Sequence, residues 1–445
     1  MVAVRTRSLI ALTVVALAAA CAGSPARVSP PRVLPAGPPT IPDRIPDSTY
    51  WRMIEEFSEP SGYFSSDNFV SNEGELQYVL AELAPRTPKG GVYVGVGPEQ
   101  NFTYIAAFQP RIAFICDIRR QNLLEHLMYK ALFELSSDRA DFLSRLWSRE
   151  RPAGLTVLSS ADTMAARFAN VPSDSVRYAR NIAAIFDVLV NRHGFALTSD
   201  DSASLRYVYS AFYVFGPSVS YTSRPNVPGP TFGALQRAGS TFPMLSLNDS
   251  LQRVADSLAR MGMPVRVTVD SAGRAVTTVT MGAMLSITRG AAGLMPTFAN
   301  LMVEDDGTGA QRGWLANEQN FRMLKDFEAR NLLVPVVGDF GGPKALRAIA
   351  TYLRERRANV NLFYVSNVEQ YLFPGDSWHR FYKNVATFPY DSNSSFIRSA
   401  SNSRAVPVRN PRSRMAQMTS SITHVIAAYE AGMLTSYAQV IEMRR

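Results

Sequence analysis

Apolar residues recur at helical spacing over residues 50–57 and again over 73–83, where Leu76, Val79, Leu80 and Leu83 share one face. Pro85, Pro88, Gly90 and Gly91 then break the chain, and 92–96 follows as a short apolar run of the buried-strand type. A helix over 100–108 leads to a second such run, 112–115, ending at Asp117. The next helix, 121–135, turns Leu124, Leu127, Met128, Ala131, Leu132 and Leu135 inward. The pattern returns near the other end: a helix over 317–330, a strand over 332–337, a helix over 343–357 with Pro343 in its first turn, and a strand over 360–365. Alternation of buried strands with helices is the sequence form of a mostly parallel sheet with flanking helices. Pro335 lacks an N–H and argues against a fully bonded central place for its strand, unless it sits at the strand's beginning.

Residues 138–316 are too long for a crossover and are expected to form a cap or side domain. Its helices read as 173–190 and 202–215, and a hairpin as 265–269 against 275–279, turning at 271–273. The fold class is therefore α/β, a sheet interrupted by a large, mainly helical insertion. The expected division is 1–20 export signal, 21–48 tether, 49–137 first half, 138–316 insertion, and 317–445 second half with a C-terminal helix.

The N-terminus changes the picture. Arg5 and Arg7 precede an apolar run over 9–17, then Ala18, Ala19, Ala20 and Cys21, the order of charge, core and small residues of a signal peptide. The stretch resembles a bacterial lipobox, which implies that Cys21 is lipidated and anchors an exported protein to a membrane of the cell envelope. The run is shorter than the roughly 20 residues of a permanent span. Eight prolines between Pro25 and Pro46 read as an extended tether. With Cys21 acylated, Cys116 has no disulfide partner, and its apolar neighbours make it a buried inert thiol.

A hydrophobic share of 46% with 19% charged residues indicates an ordinary packed core. The net charge of +9 comes from dispersed arginines; Lys89, Lys130, Lys325, Lys344 and Lys383 are the lysines, so no nucleic-acid partner is expected. The densest basic stretch, 398–414, reads as a solvated loop, with contact to anionic lipid or polymer as the sharper alternative. The acidic runs 200–201 and 304–306 also read as solvated turns. His126, His193, His379 and His424 show no metal-ligand spacing, and no nucleophile elbow or phosphate loop occurs. The aromatic run Tyr207, Tyr209, Phe212, Tyr213, Phe215 and Tyr221 reads as core, with a lid beyond it at 224–230 as the alternative.

The candidate chemistry lies at strand ends. Gly95 and Gly97 close the first strand ahead of a helix, where glycine lets a ligand approach the backbone and the helix offers unpaired N–H groups. Asp117 stands 20 residues after Gly97, the place of a ribose-binding acid. Asp339 and Asn367 end the later strands. Helix capping and turn formation account equally for Asp117, Asp339 and Asn367.

Over about 90–135 and 317–372 the chain resembles the class I S-adenosylmethionine-dependent methyltransferase superfamily, and around 95–101 and 334–344 it is similar to uncharacterised bacterial proteins with a methyltransferase-like fold. The resemblance implies a Rossmann-like sheet, with Gly95, Gly97, Glu99, Asp117 and Asp339 at an S-adenosylmethionine site and Asn367 facing an acceptor. The third glycine of the family's motif is replaced here by Glu99, and its leading acid is lacking, since Gly90 and Tyr93 precede the glycine pair. A carboxylate at position 99 opposes the cofactor's own carboxylate. Two functions follow: a small-molecule-binding protein or degenerate enzyme, and an active methyltransferase.

Overall fold

The computed structural model describes residues 38–225, 265–269, 275–279, 295–403 and 405–444. The expected export signal, Cys21 and most of the proline-rich segment lie outside the described residues, as do the hairpin turn and most of the expected lid.

Six strands form one mixed sheet in the order β5-β2-β1-β6-β7-β8. They are β1 (Val92–Gly95), β2 (Ile112–Asp117), β5 (Leu333–Val337), β6 (Val360–Ser366), β7 (Ser395–Ser401) and β8 (Met415–Ser421). The first five run parallel, and β8 pairs antiparallel with β7. The chain lays strands outward from β1 through β2 to β5, then returns to the other side of β1 with β6 and builds outward again. The ends of β1 and β6 therefore diverge into opposite connections, leaving a crevice at their carboxyl tips. β3 (Val265–Val269) and β4 (Ala275–Val279) form a separate antiparallel pair, with Val265 opposite Val279.

Pro335 sits in β5, an edge strand, as its missing N–H requires. Helix α1 (Asp47–Phe57) lies along that edge, and the Tyr50 hydroxyl donates to the Leu333 carbonyl at 2.9 Å. The docked chain begins earlier than the expected end of the tether. Thr40 N–H donates to Arg356 O, Ile45 N–H to Arg330 O, and Ile41 and Ile45 are buried.

Helices cover both faces of the sheet. On one side Tyr93 and Tyr364 pack against Tyr104 of α3 (Gln100–Phe108), with α4 (Arg120–Leu135) and α10 (Glu318–Ala329) beside it. On the other, Phe114 meets Tyr352 of α11 (Ala345–Glu355), and Phe363 meets Phe381 of α13 (Ser377–Val385). The segment 138–316 contributes α5 (Arg139–Leu146), α6 (Ala161–Phe168), α7 (Ser175–Phe186, continued by a π-helical turn), α8 (Ser199–Phe215) and α9 (Phe298–Met302). These share one continuous apolar cluster with the sheet, α8 packing on α4. Tyr209 and Phe212 belong to that core. The tail adds α14 (Ile422–Glu430) and α15 (Tyr437–Glu442).

Four expectations fail. The stretch 73–83 is helical over α2 (Leu80–Leu83) alone, because Glu73 is drawn into the sheet and Glu75 takes a left-handed φ of 60°. Residues 398–414 are no solvated loop at their start, since Arg398 lies on β7 and is fully buried. In the acidic runs, Asp201 is buried, caps α8 and pairs with Arg120, while Glu304 accepts from the Glu75 and Leu76 N–H groups. Pro343 precedes α11 and lies outside its first turn.

One buried acid makes stability depend on pH. Glu328 on α10 is 1% exposed, and neither carboxyl oxygen has a hydrogen-bond partner among the described residues. Burial pushes it up to about 8, against the pull of Lys130 and with the help of Glu134. The folded state then holds this proton more tightly than the unfolded chain does. Its stabilising effect is complete below about pH 4.5 and is lost as the pH rises towards 8. The Glu328→Gln variant is expected to gain about 2–4 kcal/mol on wild type between pH 5 and pH 8 in urea titrations. Parallel wild-type and variant curves would rule this out.

Candidate functional site

The tips of β5, β2, β1 and β6 carry Asp339, Asp117, Gly95 with Gly97, and Asn367 along one edge, so the sequence-derived residues are brought together. Each is already engaged. A Cβ on Gly95 would fall 2.0 Å from Asn101 Oδ1, so this glycine makes room for a side chain of its own fold. Asn101 in turn donates to the carbonyls of Val96, Gly97 and Pro98 and accepts from the Tyr93 hydroxyl. Gly97 has a φ of 80°, which glycine adopts without strain. Asp117 receives Arg119 Nε at 3.1 Å on one oxygen and Nη2 at 3.2 Å on the other. Asp339 accepts from Gly341 N–H, and Asn367 Oδ1 lies 3.2 Å from the Ser366 oxygen, whose hydrogen goes to Glu73.

A strap of the chain, residues 58–79, crosses these tips in sheet order. Glu59 N–H bonds Val337 O at the end of β5, and its carboxylate receives the N–H groups of Lys344 and Ala345 at the start of α11. Gly62 N–H bonds Ile118 O after β2, and Arg119 holds the Ser66 and Asp67 carbonyls. Ser71 N–H bonds Glu99 beside β1. Glu73 then accepts from Tyr364 and Ser366 of β6, Ser399 of β7 and Gln417 of β8. The crevice predicted from the strand ends is thus lined by polar groups that the strap itself satisfies.

Beneath the strap lies a set of buried groups that it does not satisfy. Helix α4 is buried on both faces, so Asn122, Glu125, His126 and Tyr129, at helical spacing, turn inward beside Glu99. Both amide atoms of Asn122, both oxygens of Glu125, Oε2 of Glu99, Nδ1 of His126 and the Tyr129 hydroxyl have no hydrogen-bond partner among the described residues. Burial pushes Glu99 up to about 7. Burial and then the Glu99 charge raise Glu125 well above the usual carboxylate range, with Arg119 opposing. His126 is drawn down to about 4 by burial and bonds the Gly97 carbonyl through Nε2 at 2.9 Å, which leaves Nδ1 as an acceptor. Buried polar atoms in this number call for bound water or a ligand.

Sequence reasoning found Glu99 but missed Asn122, Glu125, His126, Arg119 and Glu73. The available signal was the second polar row of α4, which an amphipathic reading assigns to solvent. For Glu73 no local signal existed. Cys116 is buried, burial raising its thiol well above the usual range. A cleft of about 390 Å³ lined by His424, Met433, Gln439 and Glu442 lies at the C-terminal helices, away from the tips. Among the described residues no group of His, Cys, Asp and Glu has metal-binding geometry, and no helix is long and apolar enough to cross a membrane.

No curated protein matches the chain. The family model described as Domain of unknown function (DUF7790) matches residues 68–180 and 281–441, more than half of the sequence and including Glu73, Glu99, Asp117 and the inward polar row of α4. On that match the chain belongs to the DUF7790 family.

Proposed function

We propose that this protein is an exported lipoprotein, anchored through Cys21, whose Rossmann-like and methyltransferase-like sheet with a large helical insertion binds a small molecule and does not transfer methyl groups. Support for the fold reading comes from the strand order, in which the divergence between β1 and β6 is where ligands sit in doubly wound sheets. The observation that carries the functional reading is the pairing of Asp117 with Arg119 under the strap. An acid that holds a ribose diol turns its oxygens to two hydroxyls, and Asp117 already takes three donors from Arg119, two on one oxygen and one on the other. Glu99, where the superfamily has glycine, adds a buried carboxyl against an amino-acid cofactor. The donor set therefore does not fit S-adenosylmethionine.

Natively purified protein is expected to give no calorimetric heat with S-adenosylmethionine and to release a polar compound on denaturation, read by mass spectrometry. Cys21→Ser is expected to move the protein out of the membrane fraction. Transfer of a labelled methyl group to an envelope extract, abolished by Asp117→Ala, would overturn the reading in favour of an active methyltransferase.

A further inference from the structure

We infer that Glu99, Asn122, Glu125 and His126 form the binding site for a small organic cation bearing N–H donors, a guanidinium or primary ammonium head. The inference rests on the small-molecule reading above and names the ligand class. Its first ground is the balance of unpaired atoms. With both carboxyl groups ionised, Glu125 offers two acceptor oxygens, Glu99 one, Asn122 one and His126 Nδ1 one, against the amide hydrogens of Asn122 and the Tyr129 hydroxyl as donors. Acceptors dominate, so the complement is a donor.

The second ground is charge. The Glu99 charge acts on Glu125, and Asp117 and Asp67 add to the same field. Arg119, the cation that acts on Glu125, has its guanidinium spread over Asp117 and the Ser66 and Asp67 carbonyls. It makes no hydrogen bond to Glu99 or Glu125, whose unpaired oxygens are sealed from solvent. A positive N–H donor between them would supply both the missing charge and the missing hydrogen bonds. A metal ion is a poorer complement, since no metal-binding group exists among the described residues.

Calorimetry on the natively purified full chain tests this with agmatine and methylammonium as probes, and with tetramethylammonium and myo-inositol as a cation without N–H donors and a neutral polyol. Either N–H cation is expected to bind at about pH 8 and at least about tenfold more weakly at about pH 5.5, where Glu99 and Glu125 hold their protons. Glu125→Gln, with folding checked by circular dichroism, is expected to lose at least about tenfold in affinity; Asn122→Ala gives the same readout if that variant does not fold. No heat with either N–H cation, or equal binding of tetramethylammonium or inositol, overturns the inference and leaves the row as a hydrated interior. A neutral compound released from the native protein would overturn it while leaving the binding reading in place.

Discussion

Arg398→Ala is expected to destabilise the protein by about 3–5 kcal/mol, the usual consequence of stripping one partner from a buried ion pair. Arg398 and Glu369 are 0% and 1% exposed at their side chains, so neither charge can turn to water. The guanidinium donates through Nε to Glu369 Oε2 at 2.5 Å and through Nη2 to Oε1 at 3.0 Å. It also reaches the Ser420 hydroxyl on β8 and lies 4.3 Å from the centre of the Phe396 ring. Tyr382 of α13 donates to the same carboxylate at 2.6 Å. Truncation leaves Glu369 ionisable in a dry interior with one hydroxyl for company. The double variant Arg398→Met, Glu369→Gln removes both charges at similar volume and is expected to recover all but about 1–2 kcal/mol. Urea denaturation of the two variants decides it. A single variant within about 0.5 kcal/mol of wild type would mean that this interior admits water.

The second large effect is expected at Glu73. Its carboxylate joins the strap to three strands, accepting from the Tyr364 hydroxyl at 2.5 Å, from the Ser366 and Ser399 hydroxyls and from Gln417 Nε2 at 3.1 Å. Glu73→Ala leaves four donors facing a hole, at about 1–3 kcal/mol for each that finds no other acceptor. Hydroxyls can rotate to new partners, so the expected loss is about 4 kcal/mol, with Glu73→Gln costing about half of that. The loss should be local as well as global. Proteolysis under native conditions is expected to cut first within 58–79 in the alanine variant, as the strap's attachment over β6, β7 and β8 fails. Unchanged cleavage sites would show that Glu59 and Arg119 hold the strap without help.

The same interior carries opposed pH effects. Glu99, Glu304 and Glu328 are raised by burial, so each favours folding at low pH and withdraws that support as the pH rises. His126, held neutral by burial, has the opposite sense: its contribution is lost as the pH falls from about 6.5 towards 4. An N–H cation bound at Glu99 and Glu125 would remove part of the first effect, which links the stability profile to the proposed ligand.

Much of the scaffold was legible locally. The strands at β1, β2, β5 and β6 are apolar runs bounded by glycine, asparagine or aspartate, and α3 is bounded as its spacing predicts. Helix α4 begins one residue before the start its apolar row suggested. Pro335 argued against a fully bonded central place, and its strand lies at the edge, because a missing N–H is a property of the residue alone. Strands β7 and β8 escaped notice: Ser, Arg, Gln and Thr fill them, and these look exposed until Glu73 and Glu369 are set against them.

Periodicity could therefore state which segments are helices and strands, because side-chain direction repeats every 3.6 or 2 residues whatever lies elsewhere. It could also bring Gly95, Asp117, Asp339 and Asn367 to one edge of a parallel sheet. What became of that edge was settled by partners far away in the chain. Glu73 meets Ser399 across 326 positions, and Glu59 meets Ala345 across 286. Whether a polar side chain faces water, a strap or an unsatisfied pocket depends on which distant surface lands on it. No short window of residues carries that information.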